Sequence, residues 1–165
     1  MLEVGNPGLN PTESRSHFTM WAGACSTLLI GTDITDAAFV GSDAHTILTN
    51  REVIDTLSQD PLGVPIRRTQ EPKVAAPCSA CQLWSKPLAD GGVGVVLFNR
   101  GETAVRDWAF ALSDVGVKPT AAVTVRDLWA HADNATSVAG KVTAATVAPH
   151  GVVALRLTPR GRADE

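Results

Sequence analysis

The sequence predicts an α+β chain in two unequal parts, the end of a βα repeat followed by an antiparallel β-sandwich, and three observations carry that prediction. Residues 10–25 join a helix-start signal to one apolar stripe. Residues 27–31 form a short apolar run of the kind buried on both faces of a parallel sheet. From Cys81 onward apolar residues alternate and glycine-bearing turns recur at short spacing. The pattern changes between Pro61 and Pro72, which divides the chain into a βα part over residues 1–63, a linker over 64–80, a sandwich over 81–159 and a frayed tail over 160–165.

Taken in order, Asn10-Pro11-Thr12-Glu13 has the form of a helix start. Asn caps the orphan amides, Pro occupies the first helical position where its missing N–H costs nothing, and Glu stands three residues after the cap. Phe18, Trp21, Ala22 and Cys25 then recur at i, i+3, i+4 and i+7, one face of that helix. After the strand at 27–31, a second helix is expected over residues 42–58 with Ala44, Ile47, Leu48, Ile54 and Leu57 inward, ended by Asp60-Pro61. Two βα units do not close a sheet, so this part is expected to be weakly stable alone or to pack on the second part. In the second part, residues 82–88 and 93–98 flank Asp90-Gly91-Gly92, a hairpin signal in which glycine supplies positive φ. Further strands are expected over 107–112, 123–129, 137–146 and 151–158.

Composition narrows the function classes. A chain of 165 residues with 44% hydrophobic content can bury a core, and a net charge of -3 with no Lys/Arg run long enough to track phosphates gives no footprint for nucleic acid. No apolar run approaches the roughly 20 residues of a membrane span, and Met1 is followed by Glu3 and Gly5 rather than by a signal peptide's basic and apolar segments. Neither nucleic acid nor membrane is an expected partner. Tyr is absent, so only four Trp and four Phe could stack on a sugar.

Four stretches carry a resemblance: Met1-Leu2-Glu3-Val4-Gly5-Asn6, Ile47-Leu48-Thr49-Asn50-Arg51-Glu52-Val53-Ile54, Gln59-Asp60-Pro61-Leu62-Gly63 and Val125-Arg126-Asp127-Leu128-Trp129-Ala130-His131. In this order and spacing they resemble the C-terminal part of the melibiase-like α-galactosidase and α-N-acetylgalactosaminidase family of retaining glycoside hydrolases. The resemblance implies the last βα units of a (β/α)8 TIM barrel. Residues 1–6 would end its seventh strand, 27–33 form its eighth, and 42–63 its last helix, with the family's antiparallel β domain over 83–159. It implies a secreted parent that hydrolyses terminal α-D-galactosyl groups of oligosaccharides through two aspartates about 5 Å apart, a nucleophile and an acid/base. Both aspartates match positions before Met1, as does a third that binds sugar hydroxyls. The chain is thus expected to be inactive by itself, with Met1 as its one substrate-binding position, no cofactor, and the missing N-terminal barrel half as a possible partner. Thr56-Leu57-Ser58 departs from the family's usual Ile-Asn or Val-Asp before Gln59, and residues 37–42 look lengthened, which implies altered packing of the last helix.

Several constellations stand apart from the resemblance. Glu3 and Asp33 follow strand ends, where barrel enzymes place their chemistry, and could be read as a carboxylate pair; the simpler reading is that each orders a loop. Cys78-Ser79-Ala80-Cys81 has the spacing of a zinc half-site, a local disulfide or an inert pair. Zinc would need two more ligands, and His17, His45, His131 and His150 are scattered. Asp127, Trp129 and His131 share one face of a predicted strand and could line a lectin-like surface, against a reading in which Leu128 enters the core and Trp129 covers a contact. The alternative function is a non-catalytic β-sandwich module that binds carbohydrate or a partner surface, with Trp84, Trp108 and Trp129 as the residues to test.

Overall fold

The structure is a computed structural model and describes residues 1–69, 77–134 and 140–160. Helix α1 spans Pro11–Gly23, α2 spans Asp43–Leu48, and α3 spans Arg51–Val53, continuing as a π-helical turn over Ile54–Gln59. Eight strands follow: β1 (Arg67–Arg68), β2 (Cys81–Pro87), β3 (Val93–Asn99), β4 (Val105–Ala111), β5 (Val123–Asp127), β6 (Ala132–Asn134), β7 (Lys141–Val147) and β8 (Val152–Pro159). They form a six-stranded sheet in the order β1-β2-β3-β8-β5-β6 and a two-stranded sheet β4-β7, with every pairing between strands antiparallel. No helix among the described residues is long and apolar enough to cross a membrane.

The large sheet is the middle of three layers. Val93, Val95 and Leu97 of β3, with Leu155 and Leu157 of β8, face Trp108, Phe110 and Val142 of the small sheet. Val96 and Ala154, the intervening residues, pack with Phe18, Ile47, Val53 and Leu57 of the helices. A strand covered on both faces must be apolar at odd and even positions alike, which is why β3 reads Val-Gly-Val-Val-Leu-Phe-Asn. Strand β4 is covered on one face only and alternates accordingly, with Trp108 and Phe110 buried and Asp107 and Ala109 exposed. The close fit on the helix side is visible at Gly94, where a Cβ would lie 3.1 Å from Leu57 Cδ2.

Local signals explain the elements that position this layer. At α1, Asn10 Oδ1 accepts from the Glu13 amide at 3.0 Å and Glu13 Oε2 accepts from the Asn10 amide at 3.0 Å, a capping box with Pro11 at the first turn. The helix expected over 42–58 is interrupted at Thr49-Asn50. There the Asn50 side chain accepts from the Val53 amide at 3.1 Å and donates to the Leu128 carbonyl at 3.0 Å, restarting the helix while anchoring it to the sheet. The π-helical turn occupies the residues at which the sequence departs from the family pattern, with Thr56 and Ser58 buried. The hairpin at Asp90-Gly91-Gly92 forms as expected: Gly91 has φ 81°, and Asp90 Oδ1 accepts from the Gly92 amide at 2.9 Å.

Two expectations are corrected. Residues 27–31 are not a strand buried on both faces: they make a single parallel bridge, Ile30 to Leu2, and Leu29 and Ile30 are 55% and 46% exposed. An apolar run is buried on both faces only where other layers cover them, and among the described residues it is paired along one edge alone, with the segment at 1–4. The segment expected as a linker, 64–80, carries structure in its described part. Ile66 is buried against α1, its amide donating to the Gly23 carbonyl at 2.7 Å, and β1 adds to the edge of β2. Residues 70–76 of that linker, the start of the strand expected over 137–146, and residues 161–165 of the expected tail lie outside the described residues.

Candidate functional site

The site that position in the fold singles out is the surface where the segments at 1–6 and 27–33 end side by side. The Leu2 amide donates to the Leu29 carbonyl at 2.7 Å, and the two chains then leave in close contact. At Gly31 a Cβ would stand 2.5 Å from the Leu2 carbonyl oxygen, and at Gly5, with φ +91°, it would stand 2.8 Å from Thr32 Oγ1. Only glycine fits either position. The approach opens a shallow cleft of about 210 Å³ lined in part by Gly5, Thr32, Asp33, Asp36, Phe39 and Ser42. A second of about 170 Å³ lies beside it, sharing Gly5 and Ala44 and reaching Asn6, Pro11 and Ser14.

The carboxylates at this surface are spent on local order. Asp33 Oδ1 accepts from the Thr35 amide at 2.8 Å and its hydroxyl at 2.7 Å, and these bonds hold its carboxyl below the usual range. Asp36 Oδ1 accepts from the Ala38 amide at 2.8 Å, and Glu3 Oε2 accepts from Asn6 Nδ2 at 2.8 Å. Both Glu3 and Asp33 thus order loops, the simpler of the two readings. An ionised, low-pKa Asp33 is also the wrong state for a general acid. The Glu3 amide donates to His17 Nε2 at 3.1 Å, so α1 holds the first segment in place, and burial pushes the His17 imidazole pKa down. Met1, the expected substrate-binding position, is 68% exposed, with its Cβ close to Gly31.

The tryptophans do not make a sugar platform. Trp108 is buried between the sheets, its Nε1 without a hydrogen-bond partner. Trp129 lies against α1: its Nε1 donates to Thr19 Oγ1 at 3.1 Å, the Arg15 guanidinium sits 5.5 Å over its ring, and Phe18 meets it edge-on. Leu128 beside it is buried. Trp84 is half-buried under the helical layer, its Nε1 donating to Gln82 Oε1 at 3.2 Å. Asp127 Oδ1 accepts from the amides of Trp129 and Ala130, and His131 turns to Glu52 at 3.0 Å. Cys78 and Cys81 are joined in a disulfide, which leaves neither sulfur as a zinc ligand.

Sequence reasoning missed the polar groups that fasten the helices to the sheet. Lys86 is only 1% exposed; its Nζ donates to the carbonyls of Leu57 at 3.0 Å and Pro61 at 3.2 Å, closing the end of the π-helical turn where carbonyls lack helical partners. Arg126 forks onto Glu52 with two bonds of 2.7 Å and holds that carboxyl below its usual range. His150 faces two carboxylates at once. Lys86 shares a strand face with Gln82 and Trp84, a pattern that reads as solvent-facing until the helices are placed over it.

Residues 79–157 match the family model described as the α-galactosidase C-terminal β-sandwich domain. Over 97% of its length the chain is similar to an α-galactosidase of Coffea arabica, at 42% identity, and covers 39% of that protein. An α-galactosidase of Oryza sativa subsp. japonica is 39% identical over 96% of the chain, which covers 35% of it. Among solved structures, α-galactosidase I of Mortierella vinacea superposes with a TM-score of 0.83 at 31% identity, covering 96% of this chain and 38% of that one. The chain therefore spans between about a third and two fifths of the length of the relatives it matches.

Proposed function

We propose, from the premise that this chain belongs to the α-galactosidase family through its C-terminal part, that residues 1–63 are the last βα units of a (β/α)8 barrel, buttressed by the sandwich. The intact enzyme would hydrolyse terminal α-D-galactosyl groups with retention. The observation that carries the reading is the parallel bridge between Leu2 and Ile30, each segment followed by a helix, with Leu29 and Ile30 left open. Two parallel segments with unpaired outer edges and apolar side chains facing water are a sheet made for further neighbours. In that setting the Gly5 cleft lies at the C-terminal ends of strands, where a barrel builds its site, and Met1 stands at the rim of the sugar pocket.

This chain's share of the reaction is positional. Glu3 and Asp33 are bound up in their own loops, so neither is placed as nucleophile or acid/base, and no turnover is expected from the chain alone. A secreted parent belongs to this reading, and the Cys78–Cys81 disulfide is compatible with an oxidising compartment. The test is to mix the purified chain with the part of the coffee relative that precedes the match to Met1, six βα units and the start of the seventh strand, and to assay an aryl α-galactoside. Hydrolysis by the mixture and by neither part alone supports the reading. Turnover by this chain alone, abolished in Asp33→Asn, would overturn it.

A further inference from the structure

We infer that His150 is a proton-operated clamp that fastens the first turn of α1 to two turns of the β-sandwich. His150 lies in the β7–β8 turn, residues 148–151, and its ring stands between elements far apart in the chain. Nδ1 is 3.0 Å from Glu13 Oε1 on α1, and Nε2 is 3.0 Å from Glu102 Oε1 in the β3–β4 turn. A neutral imidazole has one N–H and one lone pair, so it can satisfy only one of two ionised carboxylates and sets its lone pair against the other. Glu102 is 86% exposed and offers the ring a carboxylate oxygen as acceptor. Both contacts are attractive together only when the ring is imidazolium.

The surroundings fix the backbone of the His150 turn against α1 and against the β3–β4 turn. The His150 carbonyl accepts from Ser16 Oγ at 2.6 Å, and a Cβ on Gly151 would lie 3.2 Å from Thr12 Cγ2, so the turn sits directly on α1. The opposite turn is built by Asn99, fully buried, which donates to the carbonyls of Thr103, Val147 and Ala148 and accepts from the Gly101 amide. The His150 amide in turn donates to the Gly101 carbonyl at 3.3 Å. Glu13 serves twice: one oxygen closes the capping box and the other meets His150. The charged groups facing the imidazole are Glu13 from α1 and Glu102 from the β3–β4 turn, both negative.

The sign of the pH dependence follows. The two carboxylates raise the His150 pKa above its ordinary 6.5, first by accepting the ring's hydrogen bond at Glu13 and then by accepting the one at Glu102. The clamp's contribution is therefore full below the unfolded value and is lost as pH rises through the folded one. The Glu13 carboxyl is held below its ordinary 4.5, so its contribution fades only in acid. His17 is shifted the other way, by burial, and contributes no loss in the window above 6.5. This one contact is thus tight in mildly acidic solution and loosens towards alkaline pH.

Two measurements on the full chain test this. In the wild type, the NMR titration of the His150 Cε1 proton is expected to have its midpoint above 6.5, and Glu102→Gln is expected to lower it. A wild-type midpoint at or below 6.5 overturns the clamp. The second compares thermal midpoints of the wild type and His150→Asn, a residue that tolerates the left-handed φ of 53° at this position and does not titrate there. The wild type is expected to lose an advantage of a few degrees between about pH 6.5 and about pH 8.5. A difference between the two proteins that stays constant across that window overturns the clamp.

Discussion

The two faces of the six-stranded sheet are covered by different means. On the sandwich side, strands from the same stretch of chain bring apolar residues together, and the contact is almost wholly hydrophobic: Val95, Leu97, Leu155 and Leu157 against Trp108, Phe110 and Val142. On the helix side a smaller apolar cluster is supplemented by polar fasteners, namely Lys86 to the π-helical turn, Asn50 to Leu128, Arg126 to Glu52, and His150 to Glu13. The difference teaches that the sandwich draws on area, which carries no titrating group, whereas the helical layer adds directional bonds that set where it sits.

The largest expected effect is on the sandwich side. Trp108→Ala removes a large buried ring and is expected to cost about 3–5 kcal/mol, seen as a drop in the denaturant midpoint. Trp108→Phe is expected to cost far less, because the indole N–H it removes has no partner. If the two substitutions cost the same, packing does not dominate that face. Next is Lys86→Ala, which strips a buried aliphatic stem and leaves the Leu57 and Pro61 carbonyls without their donor, at about 2–4 kcal/mol. Hydrogen exchange is expected to quicken in α1 to α3 while β3 and β8 stay protected; equal loss in both regions would merge the two faces into one cooperative unit.

A smaller effect is expected on reducing Cys78–Cys81. The loop it closes is so short that the entropy restored to the unfolded chain is worth at most about 2 kcal/mol, and the loss would appear as a lower thermal midpoint in reductant. The smallest is Leu29→Ser, expected to fall within about 0.5 kcal/mol because that side chain already faces water. A cost of several kcal/mol there would mean that the strand-end surface is covered in solution.

How much could be read beforehand follows the same division. The α1 capping box, the Gly91 hairpin and the main sandwich strands were legible because their causes are local: caps, turn residues and period-two alternation. Strands β1 and β6, two and three residues long, exist only through their partners and carry no periodicity of their own. The interruption at Asn50 was hidden because its side chain answers to Leu128, 78 residues on. At the candidate site, the loop-ordering parts of Glu3 and Asp33 were readable from their placement after strand ends. The exposure of residues 27–31 was not, because an apolar run states what a strand would bury and not which neighbours it has. The His150 cluster joins residues 137 and 48 positions apart, and no local pattern announces it.

The bare backbone at Gly94 gives the middle sheet a further property. With Leu57 seated on it from one side and Val93 and Val95 pressed into the sandwich on the other, β3 is a partition shared by two rooms. A sandwich excised at its sequence boundary would carry Val96, Ala154 and Leu128 on an open wall and would be sticky in water. The smallest piece that can be handled cleanly is therefore the sandwich with its helices attached, and truncations or fusions that cut between them divide a wall that serves both sides.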